Sequence, residues 1–159
     1  MHREQPLSVA ALAATLLLGP LAARQPIACS LLTEAQVNAA LEVKSLPGKP
    51  PFPAAQKLCM WSDNPKGAIS NRRVTLSLMT TTAFDVGKSN KQIKIEPVSG
   101  IGDEAYYEIF SSDSPLLVVR KGSSAFNVRI LNGLKFKPFA LGQVKAKEAD
   151  LAKAAVAKL

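Results

Sequence analysis

Histidine is nearly missing from this sequence: of 159 residues only His2 is one. Even that residue sits in a segment that reads as an export signal. Met1 to Pro6 carries Arg3, Leu7 to Leu18 is mostly apolar, Gly19-Pro20 breaks any helix, and small residues lead to Ala23. That is the three-part layout of a secretory signal peptide, and the apolar run is shorter than the roughly twenty residues a bilayer crossing requires. Removing residues 1–23 leaves a single domain, residues 24–159, without any imidazole.

The absence has chemical consequences. Without histidine the chain has no base for a Ser-His-Asp or Cys-His device. Two cysteines alone do not complete a zinc site, and beyond residue 23 there is no S-x-x-K run of the kind that supports a serine–lysine pair. The expectation is a protein that is not an enzyme, with no cofactor and no metal. A chain of this length supports one domain with a real core.

Acidic residues are also scarce, 12 against 20 lysines and arginines, for a net charge of +8. Loss of Arg3 and Glu4 with the signal leaves 11 against 19, again +8. A sequence pI near 9.7 predicts salt-sensitive attraction to anionic partners. For an exported chain these are an anionic envelope surface, such as phospholipid headgroups or acidic polymers, or an acidic protein. Nucleic acid is not expected there. The basic residues are scattered, so no binding stripe can be drawn from the sequence.

Only Cys29 and Cys59 are present. An even count in an exported chain favours a disulfide, closing a loop of about thirty residues. The competing readings are a lipid on Cys29 and a reactive thiol. "PIAC" places Pro26 where a lipidation signal wants an aliphatic residue, and nothing near either cysteine predicts a depressed thiol pKa. The expected location is accordingly periplasmic or secreted. The alternative is a membrane-anchored envelope lipoprotein with a structural role.

"SLLTEAQVNAALE" carries a capping box, Thr33 with Gln36, and a staple between Leu32 and Val37. The four prolines of "LPGKPPFP" end that helix. "KLCMWSD" and "RRVTLSLMT" read as strands, the second with Val74, Leu76 and Leu78 on one face. "TTAFDVGKSNKQ" reads as a short helix or irregular turn, and "AYYEIF", "LLVVRK" and "AFNVRIL" as three further strands joined by hairpin connectors. "QVKAKEADLAKAAVAKL" is a helix with Glu148, Leu151, Ala152, Ala155, Val156 and Leu159 on one face. Its alanine-rich apolar side lacks the bulk of an interfacial membrane helix and suits a lid over the sheet. Together these elements predict an α+β fold, a meandering antiparallel sheet of about five strands with N- and C-terminal helices packed on it.

Three runs hold motif-like residues. "GIGDEAYY" makes a poor phosphate loop, because it lacks a third glycine and leads into a strand. Asp103 and Glu104 are adjacent, point to opposite faces of a strand, and read as solvated. "RKGSSAFNVRI" has the basic-glycine start of an RNA-binding sheet but only Phe126 of its aromatics. "NGLKFKPFALG" alternates Lys135 and Lys137 with Phe136 and Phe139. This alternation suits contact with an anionic, partly apolar surface. The favoured reading is an edge segment with core phenylalanines and wet lysines.

"ACSLLTEAQVNAAL", "CMWS", "GIGDEAYY" and the closing alanine-rich helix together resemble a family of small exported bacterial proteins of unknown function, many similar to envelope lipoproteins. The resemblance spans Cys29 to Leu159 and implies a cysteine pair at Cys29 and Cys59 with Trp61 beside the second. It also implies an α+β sandwich similar to the PsbP extrinsic photosystem subunits. It brings no catalytic residues. A separate lipobox cysteine is absent here.

Overall fold

The computed structural model describes residues 27–64, 71–110 and 114–159; the expected signal segment lies outside them. A 3-10 turn at Ala28–Ser30 precedes helix α1, Glu34–Leu41. Strands β1 (Leu58–Ser62) and β2 (Arg73–Met79) lead to helix α2, Thr81–Lys88. Four strands follow, β3 (Lys94–Val98), β4 (Glu104–Ile109), β5 (Pro115–Lys121) and β6 (Ser124–Leu131), and then helix α3, Leu141–Val156.

All six strands form one antiparallel sheet in the order β1-β2-β6-β5-β4-β3. The α+β class expected from the sequence is what the chain adopts. Two details differ. The sheet is not a single meander, because β2 pairs with β6 (Val74↔Ile130) while α2 carries the chain across to the far edge. The sixth strand is β3, missed because it holds Pro97 and no buried residue. An edge strand tolerates proline, since one row of its backbone groups needs no ladder partner.

Helices α1 and α2 each begin where a threonine side chain accepts from a first-turn amide. Thr33 Oγ1 accepts from Gln36 N while Gln36 Oε1 accepts from Thr33 N, at 3.3 and 2.9 Å. Leu32 and Val37 of the staple are both buried. In α2, Thr80 Oγ1 accepts from Ala83 N and Phe84 is driven onto the sheet, edge-on to Tyr106 at 4.9 Å. Gly87 lies over Tyr106 and Glu108, where an added Cβ would collide with both side chains.

One sheet face carries Trp61, Val74, Leu76, Tyr107, Leu117, Val119, Phe126 and Val128 under α1 and α3. The other is covered in part by α2, around Phe84, Tyr106, Val118 and Ala125. The buried side of α3 is Val144, Glu148, Leu151, Ala152 and Ala155. Relative to the expected face it gains Val144, leaves Val156 half-buried, and loses Leu159, which lies past the helix end and is 39% exposed. Cys29 and Cys59 are bonded, with Cα atoms 5.0 Å apart, tying the 3-10 turn to β1.

Candidate anionic-surface interface

β1, β2 and β6 end together at one corner of the sheet, where Ser62 pairs with Arg73 and Arg73 with Leu131. The chain leaves β6 there and runs through "NGLKFKPF" before entering α3. Arg72 anchors that loop from below. Buried at 7% exposure, its guanidinium donates to Leu41 O and Lys137 O, both at 2.9 Å. It also lies 4.7 Å from the ring centroid of Phe136 and 4.0 Å from that of Phe139. Two aromatic faces and two carbonyls suit a planar, delocalised cation better than an ammonium. Asn132 Oδ1 accepts from Phe139 N and closes the base of the loop.

These bonds decide where the sequence-predicted residues point. Phe139 is core, Phe136 is half-buried against Arg72, and Lys135 and Lys137 are exposed. The apolar side chain that projects from the loop is Leu134, at 83% exposure the most open of the large hydrophobic residues described. Sequence pattern passed it over because an isolated leucine beside a glycine has no periodicity to mark it.

Charge is concentrated at this corner. Leaving Arg73 aside, Lys44, Arg72, Lys135, Lys137 and Lys147 stand against Glu42 and Asp63 among the described residues, five cations to two carboxylates. Lys147 rests 4.7 Å over the Phe139 ring and pairs with Glu42 at 2.9 Å, which holds that carboxyl below the usual carboxylate range.

At the other end of the sheet the cations of α2 and β5 are paired with carboxylates. Glu104 pairs with Lys88 and with Arg120 at 2.5 Å, Arg120 also reaches Asp85 at 3.1 Å, and Asp103 accepts from Lys121 and from Gly122 N, each at 2.7 Å. Asp103 and Glu104 are therefore engaged rather than merely solvated as the sequence suggested. Asp103 clamps the β5–β6 turn, and its carboxyl is depressed first by the Gly122 amide and then by Lys121. That of Glu104 is depressed by its hydrogen bond from Lys88. A cleft of about 370 Å³ runs beside them, between Lys88, β3 and the Gly100–Glu104 turn.

The remaining unusual group is Glu148, fully buried in the middle of α3. Its Oε1 accepts from Ile130 N at 2.8 Å, while Oε2 has no partner. The β5–β6 pairing stops at Leu117↔Val128, so the Glu148 carboxyl takes up a strand amide that the ladder leaves open. Burial raises its pKa to about 8.

No group of three histidine, cysteine, aspartate or glutamate side chains able to hold a metal ion occurs among the described residues. No helix among them is long and apolar enough to cross a membrane. No family model, curated protein or solved structure matches the chain.

Proposed function

We infer that this chain is an exported, non-enzymatic binding module that engages an anionic component of the cell envelope through the corner built on Arg72. The observation that carries the reading is the charge asymmetry between the two ends of the sheet. Five cations meet two carboxylates at the Arg72 corner, whereas at the other end Lys88, Arg120 and Lys121 are matched by Asp85, Asp103 and Glu104, with Lys57 exposed beyond them. A field left uncompensated at one place steers an oppositely charged partner to that place.

Two further facts support it. The Cys29–Cys59 bond belongs to an oxidising compartment, in agreement with the signal-like first 23 residues. The same bond uses the sulfur that a lipid anchor would need, which favours an unanchored module over an envelope lipoprotein.

Passing envelope extract over the immobilised, oxidised protein tests the reading. Acidic material should be retained at low salt and released between about 0.1 and 0.5 M salt as the Debye length shrinks. Replacing Lys135 and Lys137 by glutamate should abolish retention. Equal retention by the charge-reversed protein would refute it.

A further inference from the structure

We propose that the ligand of the Arg72 corner is an anionic phospholipid surface, with Leu134 inserted among the lipids and Lys135 and Lys137 on the headgroups. This deepens the reading just given and rests on it. An acidic protein or soluble polymer would be served by the lysines alone. What singles out a bilayer is a large aliphatic side chain, 83% exposed, at the tip of a loop whose next and third-next residues are exposed lysines. A headgroup layer is anionic at the surface and apolar a few ångströms below, and this loop has the same order of chemistry from its flanks to its tip.

The loop is also held in a form suited to insertion. Arg72 binds the Lys137 carbonyl and stacks on Phe136 and Phe139, and Asn132 holds Phe139 N. The two phenylalanines are thereby kept in the protein, and the protruding residue is presented without an ordering cost at the moment of binding. The contact is shallow, one leucine and a few cations. Lipid association should therefore be reversible and depend on the fraction of anionic lipid.

Sedimentation with phosphatidylglycerol/phosphatidylcholine vesicles, against pure phosphatidylcholine and against a soluble sulfated polysaccharide, tests the proposal. Binding should require the anionic lipid. Leu134→Ser should weaken vesicle binding roughly tenfold while leaving polysaccharide binding unchanged. Lys135→Gln with Lys137→Gln should weaken vesicle binding about thirtyfold. Trp61 is the one tryptophan and is buried, so Leu134→Trp adds an exposed reporter whose emission should shift to the blue on anionic vesicles. All three positions are exposed or half-exposed on a loop, and circular dichroism confirms folding of each variant. Binding to the polysaccharide but not to vesicles overturns the lipid assignment and leaves the broader reading standing. Vesicle binding that Leu134→Ser does not weaken, with no blue shift, also overturns it. Failure to bind either polyanion removes both.

Discussion

The guanidinium of Arg72 stacks 4.0 Å from the ring centroid of Phe139 and 4.7 Å from that of Phe136, while its two terminal nitrogens donate to Leu41 O and Lys137 O. One side chain therefore joins the end of α1, the start of β2 and the loop before α3. Arg72→Lys keeps the charge but loses the planar fork and most of the stacking, and leaves a buried carbonyl short of a donor. The expected cost is about 2 kcal/mol in urea unfolding, with faster hydrogen exchange in residues 133–138 than elsewhere. A variant as stable as the parent, with unchanged exchange, would show that the loop holds itself.

Glu148 sets an opposite constraint, on pH. The unfolded carboxyl releases its proton near 4.5 and the folded one near 8. Between those values the folded state binds more protons, so stability falls as pH rises from about 4.5 to 8 and then levels off. The size is on the order of 5 kcal/mol. Arg129 and Lys145 act against the shift without cancelling it, and Glu108, raised by its own burial, adds a smaller slope of the same sign. Glu148→Gln keeps an acceptor for Ile130 N and removes the titration. Its denaturation midpoint should be nearly flat across pH 5 to 8 while the parent's declines.

The engaged carboxylates behave the other way. Lys145, and then Lys94, hold Glu96 down to about 2 by hydrogen bonding, so its contribution is present above the ordinary glutamate value and is lost only as pH falls through the folded one. Glu96→Gln should therefore lower stability at neutral pH and flatten the decline between about pH 4.5 and 2, so that variant and parent converge on the acid side. Thermal melts at pH 2.5, 4 and 7 separate the two ranges.

Local signals wrote much of the fold. The Thr33–Gln36 box, the alternation of Val74, Leu76 and Leu78, and the hairpin at Gly122 each depend on neighbours within a few positions, and each appears where the sequence places it. What escaped depends on distant partners. Pairing of β2 with β6 requires Val74 to meet Ile130, and no local pattern ranks that over a meander. At the candidate interface, Lys135, Phe136, Lys137 and Phe139 stood out by alternation. Their division into exposed and sequestered side chains was hidden because Arg72, which imposes it, comes some sixty residues earlier. Ion pairing at Asp103 and Glu104 was missed for the same reason, since their cations lie on α2 and β5.

Reducing the Cys29–Cys59 bond should cost about 3.5 to 4 kcal/mol by the chain-entropy argument for a loop of this length. That bond fastens the 3-10 turn and the capped start of α1 to β1, beside the buried Trp61. Urea titrations with and without reductant, followed by tryptophan emission, measure the difference. A midpoint that does not move would mean that the packing of Ala28, Leu31 and Leu32 holds this segment without the crosslink.

Gly48 ties the proline-rich segment to the sheet. Lys49 and Met60 exchange backbone hydrogen bonds at 3.1 and 3.0 Å, and Leu46 N donates to Ser62 O at 2.8 Å, so residues 46–49 cover the otherwise open edge of β1. That close approach is possible because Gly48 lies flat against the Trp61 indole, where a Cβ would overlap the ring atoms. Gly48→Ala must push either the segment or the indole aside. A loss of about 2 to 3 kcal/mol is expected from overpacking against a fully buried ring, together with a red shift of the single tryptophan as water reaches it. Because an uncovered edge strand pairs readily with another chain, the variant should also aggregate faster on warming. Light scattering during a thermal ramp reads that out, and an unchanged onset would show that the segment stays on β1 despite the added methyl.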